Sequence, residues 1–546
     1  MVSIKELFEL SKVRENKIFF VSKIIVSFLI ALSFFLDSIE VFGHWHGATC
    51  EQVYFKEIHF YNCLLFLLIA VITFFILSVV GFLYGKIESK FFYLTNRKSG
   101  FVFLIIFILL LICWLPIVLS YVPGGLFDDT MEAILLLRDG AKIDNHHPLL
   151  FSYLLKTFMD LGVSFGDINI GLVIYTVLQT LFLAGSIAYG IAWLYKVGIN
   201  KLFVFSLFVF FILFYIVPMY AVSIWKDTPF SIAILFYTII VAQIVYSKGK
   251  MLTKVSGVFK YICVCFFVTF LRNNGLFIVC FTTIAIFIAY RRAIIKVYFK
   301  QFSSIIISIL LFIIIQGPIY RAFGVSSEFR ESVGIMIQQI CYVVKNEGNI
   351  SEDEILFINN IEKIENIKKR YSPYNVDMIK YYEFNDDFLE KNKIKFFEVW
   401  LSLLLKNPTM YLQAHLLNTT GFWDLVRAEQ FYSKNYVYPK SYATEYYDFI
   451  WQVDVLEEIT GRSIRDFIYQ ENNNIVYAWF GCIIIVSLIY TLRFKRYSNI
   501  LVYLPALLTL ITVFIAVPIA FAMRYVFPLA LVMPFSICFP FLGKKE

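Results

Sequence analysis

Residues 101–120 read FVFLIIFILLLICWLPIVLS, a run without a single charged side chain. A helix rises about 1.5 Å per residue, so roughly 20 apolar residues are needed to cross the hydrocarbon core of a bilayer. This run is long enough. It is followed by Pro123-Gly124-Gly125, residue types that end helices. We therefore expect a transmembrane helix here, with a polar loop after it.

Similar apolar runs recur on both sides of this one. The composition agrees, because 60% of the 546 residues are hydrophobic and only 16% are charged, whereas a soluble domain has about 25% charged residues. A cytosolic enzyme, a disordered chain and a disulfide-built secreted domain are excluded. We expect an all-α polytopic integral membrane protein of about twelve transmembrane helices, at residues 18–37, 59–84, 101–121, 168–195, 202–218, 229–246, 257–271, 275–290, 301–318, 476–492, 500–518 and 525–542.

The distribution of Lys and Arg predicts the orientation of these helices. Basic residues favour the cytoplasmic ends of transmembrane helices. With a cytoplasmic N-terminus, the predicted inner segments carry 22 Lys and Arg, and the short outer segments carry seven. Both termini are then cytoplasmic, in a multi-pass protein of the cell membrane. The net charge of +8 is explained by this asymmetry, so we expect no nucleic-acid partner.

The same topology divides the chain into four regions. Residues 1–100 form a cytoplasmic N-terminal segment with two transmembrane helices, and residues 101–318 form a transmembrane core with an outer loop at 122–167. Residues 319–475 are polar and contain charged helical patterns, so they predict an extracytoplasmic helical domain. Residues 476–546 hold the last transmembrane helices.

Two adjacent carboxylates, Asp128 and Asp129, open a short amphipathic run in the outer loop. Negative charge in a first helical turn is stabilising, so helix capping alone is one interpretation. The other is a general base or a ligand of a divalent cation at the membrane edge. The sequence does not decide which of the two would be the base, nor whether a metal is required.

His146 and His147 follow in the same loop, directly before Pro148. Imidazoles bind phosphate, sugar hydroxyls or metals. A neighbouring His pair can also be a purely structural hydrogen-bonding unit, and no third metal ligand is fixed by spacing.

Three more outer turns carry cations beside polar or aromatic residues. Lys226 precedes Asp227, Arg272 precedes Asn273, and Arg524 precedes Tyr525. Ammonium and guanidinium groups suit phosphate oxygens, so we interpret these residues as substrate-binding. The alternatives are a local Lys226–Asp227 ion pair and Arg side chains that snorkel to lipid headgroups.

This pattern resembles the GT-C class of integral membrane glycosyltransferases. The resemblance rests on the carboxylate pair in the first large outer loop, on His147-Pro148-Leu149 opening the next helix, and on Arg524-Tyr525-Val526-Phe527-Pro528 near the last span. It implies a polyprenyl-phosphate sugar donor at the outer leaflet, Asp128 or Asp129 as catalytic base, and Arg524 on the donor phosphate. GT-C enzymes usually have one span before the acidic loop and read His-Pro-Pro-Leu, where this chain has two additional spans and His-His-Pro-Leu.

The chain is also similar, over roughly residues 100–530, to an uncharacterised family of large bacterial membrane proteins. The stretches that carry this likeness are Asn145–Leu150, Trp225–Asp227, Arg272–Gly275, Gln338–Ile340 and Gly421–Trp423.

The chemistry of the residues points the same way as the GT-C likeness. Sugar transfer from a lipid phosphate needs a base that accepts the proton of the acceptor hydroxyl. It also needs cationic groups that stabilise the negative charge of the departing phosphate. We expect a glycosyltransferase that acts on an envelope polymer, lipid or protein acceptor, with Gln339, Trp423 and Asp424 of the outer domain near the acceptor. The alternatives are a transporter or flippase of an anionic lipid-linked substrate, and a non-enzymatic scaffold.

Overall fold

The computed structural model describes residues 16–41, 45–46, 49–50, 54–91, 99–135, 147–297, 299–325, 329–428, 452–465 and 475–543. His146 lies outside these residues, and the helix Asp128–Leu135 is described without the side chain of Asp128. The described chain is an almost wholly helical membrane protein, which confirms the predicted all-α class.

The N-terminal and central helices are mostly apolar. They are Lys17–Ile39, Phe60–Phe91, Gly100–Ser120, Asp128–Leu135, Leu149–Ser164, Ile168–Lys196, Lys201–Leu213, Ile216–Val222, Asp227–Tyr246, Val255–Leu271, Gly275–Val297 and Phe299–Ile314, with short 3-10, π or α turns at Lys250–Thr253, Ile315–Ile319 and Tyr320–Ala322. The C-terminal helices are Ala478–Arg493, Ile500–Ala516 and Phe527–Ser536, with 3-10 turns at Tyr497–Asn499, Met523–Tyr525 and Phe539–Phe541.

All twelve predicted spans fall on apolar helices. Among the described residues, seven helices are long and apolar enough to cross a membrane, and a bent pair would make an eighth. The remaining four predicted spans coincide with apolar helices of 10–17 residues. The total of twelve crossings therefore stays a prediction.

The bent pair departs from the single span predicted at 202–218. The helix Lys201–Leu213 ends, and Ile216–Val222 continues at an angle of 59°. Pro218 lies in the first turn of the second helix, where its missing N–H costs nothing, whereas within a continuous helix it would break a hydrogen bond.

The described strands are all two residues long. Glu40–Val41 pairs with Tyr54–Phe55, and Trp45–His46 pairs with Thr49–Cys50, both antiparallel; Gly125–Leu126 pairs with Ser223–Ile224, parallel.

The two parallel strands hold the loop after the helix Gly100–Ser120 against the turn that follows the helix Ile216–Val222. Thr130 donates to the carbonyl of Ile224, and the rings of Phe127 and Trp225 stack with centroids 4.2 Å apart. Gly124 has a φ of +142°, and a Cβ there would collide with Thr176 and Ile224, so only glycine fits. These contacts fix the start of the Asp128–Leu135 helix against Trp225.

The polar segment folds into short helices. They are Phe329–Ser332, Gly334–Lys345, Glu352–Ile361, Ile364–Arg370, Asp377–Lys380, Asp386–Lys391, Lys393–Lys406, Pro408–Asn418, Thr420–Trp423 and Val455–Thr460. Glu352–Ile361 begins with the capping box of Ser351 and Glu354, which satisfies backbone N–H groups that a helix start leaves without partners.

This helical region packs directly on the chain that leads to Arg524. The amide of Val376 donates to the carbonyl of Pro518 at 3.0 Å, and the amide of Ala520 donates to the carbonyl of Tyr374 at 2.8 Å. Asn418 donates to the carbonyl of Val517 at 2.8 Å. These short helices therefore determine where residues 517–520 lie.

Candidate functional site

The centre of the site is the carboxylate of Asp129, in the first turn of the helix Asp128–Leu135. Its Oδ2 atom accepts a hydrogen bond from Arg524 Nη1 at 2.7 Å and another from Trp225 Nε1 at 3.2 Å. Lys226 Nζ lies 3.2 Å from the same oxygen. Three donors from two distant segments thus converge on one carboxylate oxygen, an arrangement that capping alone does not explain.

These neighbours set the protonation of Asp129. Burial by itself would raise the pKa of this carboxyl group. The cations of Arg524 and Lys226, the nearby His147 and the hydrogen bond from Trp225 outweigh burial and hold the pKa well below its usual value. A carboxylate in this environment stays ionised and is a weak proton acceptor.

His147 extends the cluster on the other side of Lys226. Lys226 Nζ lies 3.0 Å from His147 Nδ1, and His147 Nε2 lies 2.8 Å from Glu132 Oε2. An ammonium group can only donate, so Nδ1 is the acceptor and Nε2 carries the hydrogen that Glu132 accepts. The side chain of His147 is buried, and that of Glu132 is 52% exposed. The chain of contacts therefore runs from the partly buried Asp129 to a carboxylate at the surface.

A second ion pair lies beside the first cluster. Arg272 Nη1 donates to Asp227 Oδ1. The Arg272 guanidinium also lies over the rings of Phe230 and Tyr525, at 5.6 and 5.1 Å from their centroids. Lys226 and Asp227 do not pair with each other in the described contacts, which contradicts the local ion pair considered from sequence.

Tyr525 joins the two ion pairs. The Arg524 guanidinium lies 4.8 Å from the ring centroids of both Trp225 and Tyr525, and Arg524 Nη2 donates to the Tyr525 hydroxyl at 2.8 Å. Arg524 and Arg272 thus face the same tyrosine ring. Both guanidinium groups are held by aromatic surfaces and carboxylates, and neither extends freely towards lipid.

Seven of the ten predicted site residues therefore meet in one place: Asp129, His147, Lys226, Asp227, Arg272, Arg524 and Tyr525. The side chain of Asp128 and the whole of His146 fall outside the described residues, so their roles stay predictions. Asn273 is exposed at the turn between two helices.

The outer-domain residues suggested for the acceptor have structural contacts. Trp423 Nε1 donates to the carbonyl of Leu416 at 2.9 Å, and Gln339 Oε1 accepts from Trp400 at 2.8 Å. Asp424 accepts from the amide of Val426 at 2.8 Å. These side chains hold the domain together.

Glu132 is the residue that sequence reasoning missed. It lies three positions after Asp129, and residues three apart share a helix face. That spacing could have identified it. Its partner His147 could not be assigned, since His147 lies 15 positions further along the chain, outside the helix that carries Glu132.

Metal sites in proteins draw their ligands mainly from His, Cys, Asp and Glu side chains. Among the described side chains, no group of three or more His, Cys, Asp and Glu residues could hold a metal ion. In the described contacts, Oδ2 of Asp129 is occupied by Lys226 and Arg524.

Comparison with known proteins gives one match. A family model described as "Family of unknown function (DUF6020)" matches residues 135–545, about three quarters of the chain. No curated protein and no solved structure matches. The matched range includes His147, Lys226, Arg272 and Arg524, while Asp129 precedes it.

Proposed function

The chain belongs to this family of unknown function, and from the site we propose that it is a membrane glycosyltransferase. It would move a sugar from a polyprenyl-phosphate donor to an envelope glycan, lipid or protein acceptor on the outer side of the cell membrane. The observation that carries the proposal is the convergence of Arg524, Lys226 and Trp225 on Asp129 Oδ2. The same three donors suit a phosphate oxygen.

The proposed reaction breaks the bond between the sugar C1 and the phosphate oxygen. The electron pair leaves with the polyprenyl phosphate, and the acceptor oxygen forms the new bond to C1. Arg524 and Lys226 would stabilise the charge that develops on the departing phosphate. Before the donor binds, the carboxylate of Asp129 is ion-paired with both cations. The donor phosphate therefore has to bind these cations together with Asp129 or displace its carboxylate.

The acceptor hydroxyl must lose its proton in this reaction. Asp129 is a poor base, because its ion pairs hold its pKa low. We propose that Asp129 positions the two cations, and that Asp128 or Glu132 accepts the proton. Glu132 is suited to this role since it is accessible and its charge is held in place by His147.

The membrane arrangement supports a lipid-borne donor. In the proposed topology of twelve crossings, the outer helical domain lies above the site and the transmembrane helices lie below it. Burial raises the pKa of Tyr381 in this outer domain, and the charges of Glu331, Asp377, Glu132 and Asp129 add to the shift. An acceptor would enter between this domain and the membrane surface.

The test uses the full chain in lipid nanodiscs. Undecaprenyl-phosphate hexoses labelled with tritium in the sugar are supplied together with the cell-wall fraction of a strain that lacks this protein. We expect label to move from the lipid to that fraction with the wild type and not with Arg524→Ala. If no donor of the panel yields transfer above the Arg524→Ala level, the proposal is wrong.

One observation favours a second function, a transporter of an anionic lipid-linked substrate. The bent pair Lys201–Leu213 and Ile216–Val222 ends directly before Trp225 and Lys226, and discontinuous helices often form the substrate sites of transporters. Proteoliposomes loaded with the labelled lipid on one side distinguish the two functions. Crossing of the lipid without a covalent product would support transport.

A further inference from the structure

Asp227 has one carboxylate oxygen whose hydrogen-bonding capacity is unused. Its side chain is only 1% exposed. Oδ1 accepts from Arg272, but within the described part of the chain Oδ2 has no hydrogen-bond partner. Leaving a buried polar group without a partner is destabilising, and nearly all such groups in folded proteins are satisfied. This oxygen is therefore available to accept a hydrogen bond from a bound group, either a water or a ligand.

Tyr220 presents a second such group. Its side chain is 1% exposed, and its ring stacks on Phe527 with centroids 4.0 Å apart. The hydroxyl has no hydrogen-bond partner among the described residues. The stacking fixes the ring, so the hydroxyl cannot turn to solvent.

The two groups belong to one region of the site. Thr228, next to Asp227, donates to the Tyr220 carbonyl at 3.2 Å, which joins the two turns. The ring of Tyr220 stacks on Phe527, two positions after Tyr525, and Arg272, the partner of Asp227, lies over the ring of Tyr525. Tyr220 and Asp227 therefore lie in the part of the site that holds Arg272 and Tyr525.

The chemistry of the two groups selects the ligand. A carboxylate oxygen accepts hydrogen bonds and repels phosphate, while a phenol hydroxyl both donates and accepts. A group that carries several hydroxyls satisfies both, since one hydroxyl donates to Asp227 and another bonds Tyr220. A second phosphate would be repelled by Asp227, and Arg272, the cation in contact with Asp227, is already paired with it.

We propose that Asp227 Oδ2 and the Tyr220 hydroxyl form the subsite that binds the hydroxyl groups of the sugar on the lipid donor. This proposal rests on the proposed function, because the donor class comes from it. In this proposal Tyr220 determines specificity, because it favours a lipid phosphate that carries a sugar over one that does not.

Tyr220→Phe is the sharpest test, since it removes one oxygen that has no hydrogen-bond partner in the described part of the chain. The affinities of undecaprenyl phosphate and of undecaprenyl-phosphate hexoses are measured on the full chain in nanodiscs. One hydrogen bond changes an affinity by about three- to tenfold. We expect Tyr220→Phe to weaken the best-bound hexose lipid by this factor, to leave undecaprenyl phosphate unchanged, and not to lower Tm.

Tyr237→Phe is the matched control. Tyr237 is also a buried tyrosine, but its hydroxyl lies 3.0 Å from the hydroxyl of Tyr261. Removing it should lower Tm and leave the affinity ratio of the two lipids at the wild-type value.

The outcomes separate the two proposals. If both lipids bind the wild type and Tyr220→Phe leaves their affinity ratio unchanged, the subsite holds water at most and this inference is overturned while the proposed function stands. If neither lipid binds the wild type, the donor class is wrong, and the proposed function and the subsite both fail.

Discussion

Arg524 donates a 2.7 Å hydrogen bond to Asp129, although 395 positions separate the two residues. The bond links the turn before the last apolar helix to the loop after the third one. Because Lys226 shares the same carboxylate oxygen, the pair also sets the position of a second cation. The site thus depends on the packing of helices from opposite ends of the chain.

The first prediction concerns the strength of this pair. Asp129→Asn leaves two cations in a largely buried region without their carboxylate, so we expect it to lower the free energy of unfolding by about 2–3 kcal/mol. The double variant with Arg524→Gln should be less destabilised than the sum of the single variants, with a coupling energy of about 1–3 kcal/mol. Denaturant unfolding in detergent measures all four proteins.

Arg330 and Asp386 provide the control for that cycle. They also form a 2.7 Å ion pair, but Asp386 is 48% exposed, and exposed pairs contribute about 1 kcal/mol at most. A coupling energy at Asp129–Arg524 no larger than at this surface pair would contradict the central role given to Asp129.

The second prediction concerns Glu132. Glu132→Gln keeps the shape of the side chain and removes its charge, so it should weaken proton acceptance and reduce sugar transfer by roughly a hundredfold. The measurement is single-turnover transfer of the tritiated hexose. Asp160→Asn, which changes an exposed acid paired with Lys156, should transfer at the wild-type rate. If Glu132→Gln transfers sugar at the wild-type rate, Glu132 is not the base, and Asp128 or another residue accepts the proton of the acceptor hydroxyl.

The third prediction uses a group of acids beside the N-terminal helix. Asp37, Glu40 and Asp424 surround Arg427, whose Nε lies 2.7 Å from Asp37 Oδ1. Tyr374 donates to Glu40 at 3.2 Å. Burial raises the pKa of Glu40 to about 7, a shift that Asp424 and Asp37 increase and that Arg427 and Tyr374 reduce. Burial likewise raises the pKa of Asp424 to about 6.

These shifts give stability a definite pH dependence. The folded protein holds a proton on Glu40 more tightly than the unfolded chain, whose pKa is near 4.5. The contribution of Glu40 to the free energy of unfolding is therefore complete below about pH 4.5. It is lost as the pH rises through about 7, a change of up to about 3 kcal/mol. We expect Tm to fall between pH 5 and 8, and Glu40→Gln to flatten this slope. Equal slopes would show that Glu40 titrates normally.

The fourth prediction concerns orientation. Asp353, in the outer helical region, and Lys250, in the turn after the helix Asp227–Tyr246, are both exposed. In intact cells, a membrane-impermeant maleimide should label Asp353→Cys and should label Lys250→Cys only after permeabilisation. The parent chain measures the background from the native cysteines. The reverse labelling pattern would invert the topology and place the site on the cytoplasmic side.

The sequence predicted the helices well because each depends on local composition. A long apolar run must be helical in a bilayer, since no water is present to satisfy its backbone. The run at 101–121 became Gly100–Ser120. The span at 202–218 was wrong in one respect, because the helix ends at Leu213 and a second helix, Ile216–Val222, continues at an angle of 59°.

The sequence by itself determined that this is a helical membrane protein and which polar residues lie in the turns between its apolar helices. Only the tertiary structure decided which charges meet. Asp227 follows Lys226 directly, yet it pairs with Arg272, while Lys226 reaches Asp129 and His147. The physical reason is that consecutive residues at a helix start point in different directions, so each side chain finds its partner on whichever segment packs against its own side.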